Sequence, residues 1–203
     1  KKQKIIDHIH VSTDSEEIKR VVKKRGIDVP FLRPKEFATD SSNDSCLIID
    51  AFQKTEDFLN KNFDIIVFLR PVIPFRDKNI LNKCVRTLQK NACDSVRTVK
   101  SVEHTHPYWM TKKNNKGKLN FLYKDKNIFN YYQSQMLPKF YKHDGCCDCF
   151  ATSKLRKINP KSSTLKDIYG NKMYGVENNY KFHINIDTLD DWKLAEIYSK
   201  QIK

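Results

Sequence analysis

Residues 63–77, Phe-Asp-Ile-Ile-Val-Phe-Leu-Arg-Pro-Val-Ile-Pro-Phe-Arg-Asp, join an apolar run to a loop that contains two prolines. Every side chain from 65 to 69 is apolar, which is typical of a strand buried on both faces in the middle of a sheet. Pro71 and Pro74 cannot continue such a strand, and Asp77 is a typical helix cap. The pattern therefore predicts a strand, a loop and a helix, in that order.

Two arginines, Arg70 and Arg76, fall in the predicted loop. In open α/β sheets, ligands bind at the carboxyl ends of the strands. Arginine presents several donors to carboxylate or phosphate oxygens. We therefore expect Arg70 and Arg76 to face an anionic ligand.

Strand-like and helix-like segments alternate along the first half of the chain. Strands are predicted at 5–11, 29–32, 65–69 and 95–102, and helices after residue 14, at 44–60 and at 77–90. Thr13 or Asp14 is expected to cap the first helix, with Ile18, Val21 and Val22 on its buried face. This alternation predicts an α/β fold with a mainly parallel sheet and helices on both faces.

The alternation stops after residue 102. Residues 104–150 are predicted as a β-rich excursion from the sheet, serving dimerisation or substrate specificity within a single domain, 1–203. Strands at 172–176 and 182–186 follow, and Thr188 with Asp191 forms a capping box for the last helix.

Composition sets limits on the function. The chain has 203 residues, 39% hydrophobic and 31% charged, with a net charge of +14. We attribute this charge to solvated helix faces and expect neither a nucleic-acid nor a membrane partner. No apolar run is long enough for a membrane span and no signal peptide is evident, so we expect a cytoplasmic location with six reduced cysteines. All five glycines are isolated, which excludes a P-loop in these residues.

Two kinds of metal site can be considered. Asn185 and Asp187 lie two apart on a predicted strand, so their oxygens share one face and could hold Mg²⁺ beside a phosphate. Alternatively, Asp187 only caps the last helix. His143, Cys146 and Cys149 have ligand-like spacing for zinc, but tetrahedral zinc takes four ligands and no second pair follows.

The ordered motifs resemble those of the acylneuraminate cytidylyltransferases, which are the CMP-sialic acid synthetases and their relatives for other nonulosonic acids. The resemblance spans nearly the whole chain. It rests on residues 11–14 (Val-Ser-Thr-Asp), 31–34 (Phe-Leu-Arg-Pro), 40–42 (Asp-Ser-Ser), 69–76, 107–109 (Pro-Tyr-Trp), 135–145 and 184–190.

This resemblance implies a Rossmann-like nucleotidyltransferase fold of the nucleotide-diphospho-sugar transferase type and a homodimer. It also implies a reaction for cell-surface glycan synthesis, in which CTP and a nine-carbon α-keto acid sugar yield a CMP-sugar and pyrophosphate with magnesium. Carried over by motif, the implied roles are nucleotide binding for Arg33, Asp40, Ser41 and Ser42, sugar binding for Gln135, Lys139 and Arg70, catalysis for Arg70, Arg76 and Asp187, and metal binding for Asp187 and Asn185.

The sequence departs from the family pattern at several positions. An Ala-Arg-x-Gly-Ser-Lys type phosphate loop does not precede the first strand, so we expect this chain alone to be inactive. Asn185 replaces the first residue of the usual Asp-x-Asp pair, Arg70 stands where Gln is common, and Ser134 where Arg is common. The alternatives are a 3-deoxy-manno-octulosonate cytidylyltransferase and a catalytically inactive binding relative.

Overall fold

The computed structural model describes residues 5–102, 105–123, 128–131 and 133–202. In these residues, a four-stranded sheet lies between helices, and a two-stranded hairpin stands apart from it. The helices are α1 (Glu16–Lys24), α2 (Asp44–Leu59), α3 (Ile80–Asn91), α4 (Leu165–Tyr169) and α5 (Leu189–Gln201), and the strands are β1 (Ile65–Phe68), β2 (Ser95–Ser101), β3 (Thr111–Lys113), β4 (Leu119–Phe121), β5 (Tyr141–Ala151) and β6 (Met173–Glu177). No helix in the described part of the chain is long and apolar enough to cross a bilayer.

The main sheet has the strand order β1-β5-β2-β6. Strands β1, β2 and β6 run in one direction, and β5 is antiparallel to both of its neighbours, with Ile65 opposite Ala151 and Ser95 opposite Phe150. The predicted α/β class is confirmed, but the sheet is mixed. The reason is that the chain reaches β5 without a helical crossover and returns into the sheet at the edge where β2 ends. Val102 N–H donates to the Phe140 carbonyl there, at 3.0 Å.

The predicted excursion, 104–150, therefore includes a central strand of the sheet. Only the part before β5 departs from the sheet, and it carries the β3–β4 hairpin. Aromatic rings hold this part together, because the ring centroids of His106, Tyr108 and Phe140 lie 4.9–5.8 Å from one another. Residues 104, 124–127 and 132 of the predicted excursion lie outside the described residues.

Three predicted strands, at 5–11, 29–32 and 182–186, form no strand in the structure. Their apolar patterns are suitable for strands, but a strand also needs a partner, and among the described strands β1 pairs only with β5. Helix α1 begins after Ser15, whose side chain accepts from Ile18 N–H, and neither Thr13 nor Asp14 caps it. The predicted buried face of α1 is wrong, since Ile18 and Val21 are 49% and 56% exposed.

Two apolar cores lie on opposite faces of the sheet, as predicted for helices on both sides. One core joins α3 to β5 through Cys84, Val85, Cys147 and Cys149. The other joins α2 and α4 to β5 and contains Ile48, Ile49, Phe52, Phe150 and Ile168. Strand β5 supplies both cores because successive side chains of a strand point to opposite faces.

The helix ends follow ordinary capping chemistry. Asn43 accepts from Ser45 N–H and Cys46 N–H at the start of α2, and the predicted Thr188–Asp191 capping box is confirmed at the start of α5. Asp77 was the predicted cap of α3, but the helix begins at Ile80 after Asn79. The Asp77 carboxylate instead accepts from Asn79 N–H at 2.7 Å, which supports the turn before the helix.

The Phe150→Ala substitution tests the core on the α2 side. Phe150 is fully buried, so we expect its removal to lower the free energy of unfolding by about 3–5 kcal/mol. Urea unfolding followed by circular dichroism measures the change. The control is Phe58→Ala, because Phe58 is 61% exposed and should matter by less than about 0.5 kcal/mol. Equal effects would contradict this description of the core.

Candidate active site

Arg70 lies two residues after the end of β1 and is fixed by two carboxylates. Its Nη1 donates to Asp148 Oδ2 at 2.9 Å, and its Nη2 donates to Asp44 Oδ2 at 2.5 Å. The guanidinium carbon also lies 4.8 Å from the centroid of the Phe68 ring. Burial alone would lower the pKa of Arg70, but the two carboxylates raise it, so the side chain stays cationic. Arg70 is therefore a fixed cation at the carboxyl edge of the sheet.

Asp148 lies in the middle of β5 with its side chain fully buried. Besides Arg70, it accepts from Arg97 Nε at 3.2 Å, and His143 Nε2 lies 3.1 Å from its Oδ1. Burial alone would raise the pKa of this carboxyl group, but the hydrogen bonds from His143 and Arg70 and the nearby charges lower it to about 2. Asp148 is therefore ionised and joins the loop after β1 to β2 through two arginines. We call Arg70, Arg97, His143 and Asp148 the Asp148 network.

Arg76 is anchored to the backbone. Its Nη2 donates to the Arg70 carbonyl at 2.6 Å, and its Nε donates to the Cys146 carbonyl at 3.0 Å. Burial lowers the pKa of Arg76, which the nearby Cys146 and Cys147 partly offset. The side chain thus closes the loop after β1 onto β5, and the two predicted arginines lie side by side.

The predicted metal ligands lie against the same loop. Ile186 N–H donates to the Val72 carbonyl at 2.9 Å, which places Asn185 and Asp187 beside the loop that carries Arg70 and Arg76. Both side chains are exposed, and the Asn185 amide donates to Asp187 Oδ2. Because Thr188 is the cap of α5, the Asp187 carboxylate is not needed for capping. One oxygen of Asn185 and one of Asp187 remain for a cation.

The predicted nucleotide-binding residues form a separate group. Arg33 Nη2 lies 3.4 Å from Asp14 Oδ1, whereas Arg33 Nε is buried without a hydrogen-bond partner in the described structure. Ser41 and Ser42 belong to a hydroxyl turn, in which Thr39 Oγ1 lies 3.1 and 2.8 Å from their hydroxyl oxygens. Asp40 lies exposed in this turn.

The predicted sugar-binding residues lie in the excursion. Gln135 is exposed in a 3-10 turn (Ser134–Met136) and donates to Gln133 Oε1 at 2.7 Å. Lys139 is also exposed and directly precedes Phe140, which contacts the end of β2. No hydrogen bond or ion pair among the described residues joins Gln135 or Lys139 to Arg70. The structure therefore brings Asn185 and Asp187 beside the loop of Arg70 and Arg76 and leaves the other predicted residues in two separate groups.

Sequence reasoning missed several residues of this edge. Asp148 was hidden among cysteines, Arg97 belonged to no motif, and His143 was considered only as a zinc candidate with Cys146 and Cys149. A second buried carboxylate, Asp144, accepts from Thr98 Oγ1 at 2.5 Å and from Asn178 Nδ2 at 2.6 Å. The available signal was the acidic residue Asp148 inside the apolar run 146–151, because a charge is fully buried only when it is paired.

Comparison with known proteins shows which family and which relatives this chain resembles. A model of the cytidylyltransferase family matches residues 1–201. The flagellin modification protein B of Campylobacter coli is 30% identical over 141 residues, covering 70% of this chain and 58% of that protein. The CMP-N,N'-diacetyllegionaminic acid synthase of Legionella pneumophila is 28% identical over 201 residues, covering 94% of this chain and 77% of that protein. The pseudaminic acid cytidylyltransferase of Campylobacter jejuni is 28% identical over 150 residues, covering 74% and 62%.

Two solved structures share the fold. The CMP:2-keto-3-deoxy-manno-octonic acid synthetase complexed with CTP gives a TM-score of 0.61 at 12% identity, covering 97% of this chain and 83% of that chain. A 4-diphosphocytidyl-2C-methyl-D-erythritol synthase from Anaerococcus prevotii gives 0.60 at 16% identity, covering 97% and 80%. These likenesses establish the nucleotidyltransferase type of α/β fold.

The Asp148→Asn substitution tests the Asp148 network. It leaves Arg70 and Arg97 without their buried counter-charge, so we expect the free energy of unfolding to fall by about 3–5 kcal/mol. The control is Asp44→Asn, which removes the other partner of Arg70. The Asp44 side chain is 35% exposed, so this change should cost about 1 kcal/mol or less. Urea unfolding of both variants measures the difference, and equal losses would contradict the central role of Asp148.

The same network predicts a pH dependence. The pKa of Asp148 is about 2 in the folded chain against 3.8 for an unperturbed aspartate, so its ionised form stabilises the fold above about pH 4. This stabilisation, about 2 kcal/mol, is lost as the pH falls toward 2. We expect urea unfolding between pH 5 and pH 2.5 to show a steeper loss for the unsubstituted chain than for Asp148→Asn. Parallel curves would show that Asp148 does not titrate in this range.

Proposed function

The chain belongs to the cytidylyltransferase family, and we propose that its protein transfers CMP from CTP to a nonulosonic acid with release of pyrophosphate. The relatives named above support this substrate class, since two of them are named for legionaminic and pseudaminic acid. The chain spans 58% and 62% of the length of two of these relatives and 77% of the third. The activity is therefore proposed for the protein as a whole, with a role in cell-surface glycan synthesis.

One observation carries the proposal. The hydrogen bond from Ile186 N–H to the Val72 carbonyl brings a carboxylate–amide pair to a loop that contains two fixed arginines. Cations and oxygen ligands side by side at the carboxyl edge of a sheet are suited to a nucleoside triphosphate with its metal ion. Neither group alone would distinguish a phosphate site from a structural ion pair.

The proposed reaction needs positioning and charge neutralisation more than covalent chemistry. The anomeric hydroxyl oxygen of the sugar forms a bond to the α-phosphorus of CTP, and the bond from that phosphorus to the bridging oxygen breaks. Pyrophosphate leaves with the electron pair of the broken bond, and the hydroxyl proton passes to solvent or a nearby base. Arg70 and Arg76 would stabilise the negative charge that develops on the phosphate oxygens.

The residues present are compatible with magnesium. Mg²⁺ is commonly held by one or two carboxylates together with substrate phosphates. Asp187 would provide the carboxylate and Asn185 an amide oxygen, and both side chains are exposed beside the arginine loop. When bound, the ion would neutralise phosphate charge during the transfer.

The remaining predicted residues are assigned by the same proposal. Arg33 would hold the nucleotide with Asp40, Ser41 and Ser42. Gln135, Lys139 and Arg70 would contact the sugar acid. The excursion exposes large apolar side chains, among them Leu119, Leu122 and Phe129, and we propose that this face forms a homodimer.

A direct assay tests the proposal. The protein expressed from its complete reading frame is supplied with CTP, Mg²⁺ and one of four acids: legionaminic, pseudaminic, N-acetylneuraminic or 3-deoxy-manno-octulosonic acid. Pyrophosphate release is measured. We expect kcat/KM for at least one nine-carbon acid to exceed that for the eight-carbon acid by about 100-fold or more. Preference for the eight-carbon acid would favour the octulosonate enzyme, and no turnover with any acid would favour an inactive relative.

The Asp187→Ala substitution tests the metal role. It removes the only carboxylate of the proposed pair of metal ligands, so we expect kcat to fall by about 100-fold or more, with little change in the free energy of unfolding. Asn185→Asp adds a carboxylate and should lower the Mg²⁺ concentration that gives half-maximal rate. The control is Glu196→Ala, which removes an exposed carboxylate from the helix after the site. Unchanged turnover in Asp187→Ala would refute the assignment.

A further inference from the structure

Three cysteines meet in the core between α3 and β5. Cys84 belongs to α3, and Cys147 and Cys149 are neighbours on one face of β5. All three are fully buried with free thiols. Their sulfur atoms lie within 4.8 Å of one another, and the Cys147 and Cys149 sulfurs are 3.9 Å apart. In the described part of the chain, this is the only group of three or more His, Cys, Asp or Glu side chains spaced for a metal ion.

The spacing matches a metal-thiolate triangle. A zinc–sulfur bond is about 2.3 Å long, so three sulfurs around one ion in a plane lie about 4.0 Å apart. The observed separations reach this value with a contraction of less than about 1 Å, which side-chain rotation can supply. Thiolate sulfur selects soft ions and disfavours magnesium and calcium.

The charge balance of the site favours a divalent ion. Three thiolates with one divalent cation carry a single negative charge, which would be costly to bury alone. The Arg76 guanidinium supplies one positive charge nearby, because its Nε donates to the Cys146 carbonyl next to Cys147.

We propose that Cys84, Cys147 and Cys149 form a binding site for one thiophilic divalent cation of the zinc class. The sulfur–hydrogen bonds break, a sulfur–metal bond forms at each cysteine, and the released protons pass to solvent without any change of oxidation state. This site differs from the sequence-based candidate, since Cys149 is grouped with Cys84 and Cys147 whereas His143 belongs to the Asp148 network. The proposal is independent of the transferase activity.

Cadmium and zinc are the probes. Because the thiols are buried, the reduced, metal-free chain is both incubated in its native state and refolded with one equivalent of Cd²⁺ or Zn²⁺ under anaerobic conditions. We expect one ion per chain, an ultraviolet cadmium–thiolate band and two to three released protons. The unfolding midpoint should rise by about 5 °C or more. X-ray absorption of the loaded, unsubstituted chain should count three sulfur ligands.

Two variants complete the test. Cys84→Ala removes one ligand and should weaken cadmium affinity by about 100-fold or more, since removing a group that only orients a ligand already costs about 10–100-fold. Cys46→Ala is the matched control, because Cys46 is also a buried free cysteine but packs at the start of α2. Binding of equal affinity in Cys84→Ala overturns the proposal. So does the absence of a cadmium band after both loading procedures, or a count of fewer than three sulfurs, neither of which depends on the variants.

Discussion

The carboxyl edge of the sheet depends on one buried carboxylate. Asp148 accepts hydrogen bonds from Arg97 on β2 and from Arg70 in the loop after β1, so one negative charge draws both guanidinium groups together, with Asp44 as a second partner of Arg70. Without this carboxylate, the two cations would repel each other in a partly desolvated space. With it, their donors that do not face Asp148 remain oriented before any ligand arrives. Such preorganisation is what electrostatic catalysis requires of a phosphate site.

The loop after β1 extends this order to the proposed metal ligands. Arg76 holds the loop through two backbone carbonyls, one on the loop and one on β5, and the loop in turn binds residue 186 through the Val72 carbonyl. The parts of the proposed site that lie far apart in sequence, near 70, 148 and 186, are thus joined by backbone hydrogen bonds and buried charges. Flexible surface contacts do not hold them.

Much of this arrangement could be predicted from the sequence, because local patterns determine it. The apolar run before Arg70, the capping box at Thr188 and the strand at 95–101 all depend on nearest neighbours, and the structure confirms them. The exposed face of α1 and the irregular segment 5–11 could not be predicted, since burial and strand pairing depend on tertiary partners. The direction of β5 depends on how a long excursion returns, which no local pattern encodes.

The residues of the candidate site also fall into two sets, those that the sequence identifies and those that it does not. Arg70, Arg76 and Asp187 were identifiable because strand ends in α/β folds collect ligands and because their motifs resemble those of a known family. Asp148 was not identifiable from strand position alone, because a buried charge becomes meaningful only when its partners on other strands are known. Arg97 had no local signal either, and His143 was distinguished only by its spacing from Cys146 and Cys149. Both gain their roles through Asp148.

Strand β5 separates two chemical environments that are adjacent in sequence. Cys147 and Cys149 face the apolar side of α3, while Asp148 between them faces the arginines. A slip of β5 by one residue against its neighbours would exchange these environments, placing an ionised carboxylate among apolar side chains and thiols beside unpaired cations. The wrong alignment is therefore penalised on both faces of the sheet at once. The Asp148 network and the cysteine cluster therefore both favour the observed register of β5, whatever each of them binds.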